Sequence, residues 1–152
     1  MLVTDGAFYE IILNTWTATL GFPVERRDAA EFSPIEVLTV CVKIQGAWDG
    51  EVRLHCPPPL ARRIATAIFQ AEEDKVGSSE ILDALSELIH IIGGNLKALL
   101  PQPVTLSLPS LHDSTNSAHS TPQWPIVCRL TLMSEGQPFV VTLVGGQRKA
   151  RT

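Results

Sequence analysis

Between Ser79 and Leu100 the apolar residues Ile81, Leu85, Leu88, Ile92, Leu96 and Leu99 recur every three or four positions. Only an α-helix gathers that spacing onto one face. A helix of roughly 30 Å with one apolar stripe must lie against a second layer, so this segment sets the core of whatever the chain folds into. At about 100° per residue, Glu87 falls roughly 140° from the centre of the stripe, and Asp83, His90 and Gly94 fall within about 60° of Glu87. One exposed ribbon is therefore predicted to carry a carboxylate, an imidazole and a bare glycine, flanked by Asp83, Ser86 and Lys97. A glycine inside a helix costs about 1 kcal/mol relative to alanine. Gly94 on the solvent side points to another backbone coming close, and Gly93 to tight packing within the domain. The plainer alternative is a solvated helix face on which Glu87 and His90 form a surface pair three residues apart.

The segments around this helix read as alternating layers. Ala7 to Leu20 is predicted helical, with Ala7, Ile11, Ile12, Thr15 and Leu20 on one side, Thr4 or Asp5 as its cap and Gly21 as its end. Val24 to Arg27 reads as a short strand. Ile35 to Gln45 has strand composition and Glu51 to Cys56 alternates like a second strand, around a turn at Gly46 to Gly50. Pro57 to Pro59 lead into a helix from Leu60 to Phe69, since proline suits a first helical turn. Ser78 or Ser79 is the expected cap of the long helix, with Glu80 and Asp83 in its early turns, where acidic groups suit the helix dipole. Val104 to Leu108, Ile126 to Met133 and Phe139 to Val144 read as strands, separated by a polar loop from Ser110 to Gln123. The fold class expected is α+β, a mostly antiparallel sheet packed against two long helices, in one domain over residues 1–147 with a basic tail at 148–152. The apolar strand Phe139 to Val144 is aggregation-prone as a free edge; burial within the sheet is one reading and pairing across a homodimer the sharper one.

Several functions are excluded or disfavoured. A net charge of −4 argues against a general nucleic-acid affinity. No run approaches the ~18 apolar residues of a membrane span, and Asp5 and Glu10 interrupt the N-terminal segment, so a signal peptide is not expected. Cys41, Cys56 and Cys128 are odd in number and widely spaced, and read as reduced, buried thiols of a cytoplasmic protein. Glu87-x-x-His90 matches one half of a di-iron signature, but the second copy and further carboxylates are missing, so no metal is expected. His55 and Cys56 alternate across a strand, and His112 and His119 fall in the polar loop, so neither pair forms a metal site. No phosphate-binding glycine loop and no nucleophile elbow appear.

The stretch Asp83-Ala84-Leu85-Ser86-Glu87-Leu88-Ile89-His90-Ile91-Ile92-Gly93-Gly94-Asn95 resembles the helix motif of the CheC/CheX/FliY phosphatases of bacterial chemotaxis. Gly46 to Leu54, the helix opening Pro59-Leu60-Ala61-Arg62-Arg63-Ile64-Ala65 and the closing strand pair fit the same layout, and the single-domain length is similar to the CheX branch. The resemblance implies a chain that binds a phosphorylated CheY-like receiver, as a homodimer, and promotes hydrolysis of its aspartyl phosphate. It implies no cofactor of the chain's own, since the magnesium ion belongs to the regulator. In the family a glutamate pairs with the regulator's lysine and an asparagine three residues later orients the attacking water. Glu87 carries over as it stands, whereas the asparagine position is His90 here. A neutral imidazole also donates and accepts hydrogen bonds, and its Nδ1 lies as many bonds from Cβ as an asparagine amide atom; a protonated ring only donates. Asn95 sits about 80° round the helix from Glu87, a poor replacement for the amide. The alternative implied is a CheX-like module, weak or inactive in catalysis, that binds a receiver or another signalling protein.

Overall fold

Capping chemistry fixes where the first helix begins and ends. Thr4 Oγ1 accepts the Ala7 N–H at 3.1 Å, and helix α1 runs over Asp5–Leu20. Gly21, at φ 72°, closes it by donating its N–H to the Trp16 and Thr17 carbonyls. The computed structural model describes residues 3–33, 36–111 and 124–147. The remaining elements are β1 (Glu25–Arg27), β2 (Leu38–Gly46), β3 (Trp48–Cys56), α2 (Pro58–Phe69), α3 (Ser78–Lys97), β4 (Val104–Leu106), β5 (Ser110–Leu111), β6 (Ile126–Ser134) and β7 (Gln137–Gln147). The basic tail, His112 and His119 lie outside the described residues.

All the strands join one antiparallel sheet in the order β1-β6-β7-β3-β2-β4, with β5 also paired to β2. This is the α+β architecture expected from the sequence. The two longest helices pack on the sheet, α3 on β2, β3 and β4 and α1 on β6, and α2 packs against α3 and α1. The expected turn at Gly46 to Gly50 is shorter, because β3 already starts at Trp48 and Asp49 Oδ1 accepts the Gly46 N–H at 3.0 Å. The strand from Phe139 to Val144 is no free edge. It lies within β7, which pairs with β3 on one side and β6 on the other, so its ladder groups are taken.

The core fills the space between sheet and helices. Val40, Val42 and Ile44 of β2, Val52 and Leu54 of β3, and Phe139, Val141 and Leu143 of β7 face it from alternate positions. Trp16 of α1 stacks on Phe139, with ring centroids 4.3 Å apart and planes within 9°, and its Nε1–H donates to Ser134 Oγ at 3.1 Å. The indole thus buries a large apolar surface without leaving its polar atom unpaired. At the other end, Gly50 of β3 pairs with Gly145 of β7, and the buried Trp48 ring lies over both.

On the opposite face, Thr142 stands between Arg53 and Arg129 in the ladder. Its buried Oγ1 has no hydrogen-bond partner among the described residues. Replacing it by valine keeps the branched shape and removes a desolvated hydroxyl, so Thr142→Val is expected to stabilise the fold by about 1 kcal/mol. A raised urea midpoint at unchanged slope checks this.

Candidate functional site

Helix α3 is one rigid element with two different sides. Its buried side comprises Ala84, Leu85, Leu88, Ile89, Ile92, Gly93 and Leu96. The stripe is wider than periodicity alone indicates, because α1 and α2 cover the flanks of α3 as well as the sheet covering its base. Ser78 is the first helical residue and Gly77 occupies the cap position, with no side-chain capping bond, so neither serine has the expected capping role.

The solvent side carries Asp83, Glu87, His90, Gly94 and Lys97, all exposed, with Ser86 half-buried at the margin. The structure thus brings all six onto one continuous surface of a single helix. Residues three or four apart on a helix lie about 5–6 Å apart at Cβ, so Glu87 and His90 present two polar groups to one approaching molecule. Asn95 is exposed too, but its Nδ2 donates to the Ile91 carbonyl at 3.1 Å, which ties the amide to its own helix.

The two glycines differ in what surrounds them. A Cβ on Gly93 would lie 3.5 Å from Val42 Cγ1 and 3.6 Å from Leu106 Cδ1, so Gly93 sits against the sheet. A Cβ on Gly94 would meet no atom of the described residues within 4 Å. The domain's own packing does not require a glycine there.

Beside the N-terminal half of α3 lies a groove of about 360 Å³, lined by Leu38, Pro58, Ile81, Leu82 and Leu111 among others, with Arg62 and Glu36 at its polar edge. Leu82 is 38% exposed and Leu111 56%. Leu82 precedes Ser86 by one turn, so the groove adjoins the ribbon. Its one sequence signal is Leu82, an apolar residue off the main stripe; Leu111 belongs to a two-residue strand that only its pairing with β2 defines.

Among the described residues no group of three or more histidine, cysteine or acidic side chains is placed to hold a metal ion, and no helix is long and apolar enough to cross a membrane. Cys41, Cys56 and Cys128 are free and buried. Burial pushes the Cys41 thiol up to about 11, partly opposed by the Ser110 hydroxyl at 3.4 Å. Burial, reinforced by Asp5, takes Cys128 to about 11, and burial raises Cys56 further. All three therefore remain thiols near neutral pH. Because the folded values are raised, their contribution to stability is complete below the ordinary thiol pKa of about 8.5 and is lost as pH rises toward about 11. Alkylation at about pH 8 is expected to be on the order of 100-fold slower in the native protein than in urea, as thiol titration by mass spectrometry would show.

The sequence profile described as chemotaxis phosphatase CheX matches residues 38–140, which include all of α3. No curated protein matches the sequence. Among solved structures, the chain is similar to the chemotaxis protein CheX from Vibrio vulnificus, with a TM-score of 0.70 at 14% identity over 91% of this chain and 93% of that one. It is similar to CheX from Desulfovibrio desulfuricans, with a TM-score of 0.69 at 16% identity over 91% and 95% of the two chains. A further match is a CheX–CheY–BeF3–Mg complex from Borrelia burgdorferi, with a TM-score of 0.69 at 16% identity over 92% and 96%. Those identities establish a shared fold, and the profile match over about two thirds of the sequence establishes more: the chain belongs to the CheX family of chemotaxis phosphatases.

Proposed function

We propose that the exposed ribbon of α3 enters the phosphorylated site of a CheY-like receiver and promotes hydrolysis of its aspartyl phosphate. The observation that carries this reading is the joint placement of Glu87, His90 and Gly94 on solvent-facing helix surface in a CheX-family chain. The similarity to a CheX crystallised with CheY supports the choice of partner. Hydrolysis of an acyl phosphate depends on positioning and charge complementarity more than on covalent help from the catalyst. Glu87 anchors the receiver through a cationic side chain. His90 holds the attacking water in line with the phosphorus, its ring accepting one water proton as a hydrogen bond. Asp83, Ser86 and Lys97 contact the receiver around that pair. The magnesium ion is the receiver's.

Phosphate release from a panel of phosphorylated receivers tests the proposal. An active parent that Glu87→Ala inactivates supports it. A parent that binds receivers without releasing phosphate, and gains release on His90→Asn, is a binding module instead. The same reading places a second copy of the chain at the edge of the sheet, through β1 or β4 rather than β7, and light scattering giving a strict monomer at high concentration would remove that part of it.

Gly94 makes a separable expectation. Gly94→Ala is expected to stabilise the helix by about 1 kcal/mol while weakening receiver binding, because the new methyl stands on the contact surface. Thermal unfolding and a receiver titration on the same sample check both signs.

A further inference from the structure

His90 has a capability that an amide at the same position would lack: a neutral imidazole is a nucleophile as well as a hydrogen-bonding group. The ring is exposed on a rigid helix, and no hydrogen bond or ion pair ties it to another described residue. Side chains on a helix lean toward its N-terminus, so a side chain at position 94 would lean over the ring of His90 one turn earlier. Glycine stands there, with open space where its Cβ would be. The side of the imidazole that faces Gly94 is thus clear for a bulky, charged group to approach along the ring plane. On the other side, one turn earlier, the carboxylate of Glu87 can face positive charge that develops on the ring.

We propose that His90 accepts the phosphoryl group itself, so that the chain forms a phosphohistidine from an aspartyl phosphate and acts as a phosphoryl acceptor as well as a phosphatase. This rests on the reading that the ribbon enters the receiver's phosphorylated site, and it reassigns the use of one lone pair there. In the hydrolytic role the unprotonated ring nitrogen accepts a hydrogen bond from water. In the relay role the Nε2 lone pair attacks phosphorus in line. A P–N bond forms, the P–O bond to the aspartyl carboxyl breaks, and its electron pair leaves with the carboxylate. Nδ1 keeps its proton, so the phosphorylated ring is cationic and Glu87 offsets that charge. Water then attacks phosphorus, the P–N bond breaks with its electron pair returning to Nε2, and phosphate leaves with the water oxygen while a proton passes to solvent. No oxidant, reductant or further cofactor enters either step.

The test is transfer of label from a receiver carrying ³²P on its aspartate, with the reaction stopped by denaturant from milliseconds to minutes and the two chains separated. The expected result is label on this chain that survives alkali, is lost in mild acid, and falls to background in His90→Asn and His90→Ala. Acyl phosphates are cleaved by alkali, so carried-over receiver does not imitate this result. Phosphate release with no label on the chain at any time overturns the relay and leaves the hydrolytic reading standing. Receiver binding with neither release nor label overturns both chemical roles and leaves a binding module. Label that persists in His90→Asn overturns the assignment to His90. Circular dichroism of each variant establishes that α3 is intact.

Discussion

Glu87→Ala is expected to slow receiver dephosphorylation by about 100-fold or more, the scale of loss when one positioned charged group is removed from a phosphoryl-transfer site. The same change is expected to leave stability within about 0.5 kcal/mol. Glu87 is exposed, and alanine is at least as good a helix former, so the fold gives no reason for this carboxylate to be where it is. The contrast between a large functional loss and a negligible stability change separates a working residue from an ordinary member of a solvated helix face. Glu87→Gln refines the expectation. It keeps the length and the hydrogen-bonding capacity and removes the charge, so a loss close to that of alanine identifies an ion pair with the receiver as the essential contact. A loss of less than about threefold, on a scale where 1.4 kcal/mol is tenfold in rate, would assign Glu87 to solvent.

Gly145→Val and Gly50→Val are expected to be the most destabilising single changes considered, each by about 3 kcal/mol or more. These two residues face each other across β3 and β7, beneath the buried Trp48. At Gly145, φ is +147°, a backbone conformation that side chains with a Cβ rarely adopt, and an added Cβ would stand 2.5 Å from Trp48 Cη2 and from the Asp49 carbonyl oxygen. At Gly50 the added atom would clash with the Val144 carbonyl and stand 2.5 Å from Trp48 Cζ3. Neither the ladder nor the indole can move without opening the centre of the sheet. Loss of the cooperative unfolding transition, or of soluble expression, is the expected outcome. Midpoints within a few degrees of the parent would show that Trp48 has room to swing away.

The parts of the fold that were legible in the sequence are those in which local pattern and tertiary use coincide. In α3 the three-and-four repeat placed Leu85, Leu88, Ile92 and Leu96 in the core and left Glu87, His90 and Gly94 in solvent. In β2 the β-branched composition, and in β3 the alternation from Glu51 to Cys56, marked strands that are buried on their core-facing side. Helix α1 was harder. Its apolar residues run almost all round it, so no face stands out, and the buried set is Phe8, Ile12, Thr15 and Trp16 rather than the side centred on Ile11 and Ile12. What selects that face is Phe139, far along the chain, stacking on Trp16. Strand β5 was invisible for a related reason: two residues inside a polar loop become a strand only through their pairing with Val40 and Cys41. The third strand's early start at Trp48 depended on the Gly50–Gly145 pairing, which a local pattern cannot display. For the site, periodicity placed the ribbon and separated a packed Gly93 from a solvent-facing Gly94, and the packing of α3 on β2 and β4 supplied the partners of Gly93, Val42 and Leu106. The groove at Leu82 and Leu111 joins elements distant in sequence, which is why it gave almost no local signal.

Gly94→Trp tests whether the ribbon is the surface that a phosphorylated receiver occupies. This change leaves Glu87 and His90 in place and fills the open space beside them with an indole on the solvent side of α3. The measurement is the lifetime of the aspartyl phosphate on each member of a panel of receivers, alone, with the parent chain and with the variant. The expected result is at least one receiver whose phosphate is short-lived with the parent and as long-lived with Gly94→Trp as it is alone. A variant that shortens that lifetime as well as the parent does would place the receiver on another face of the domain.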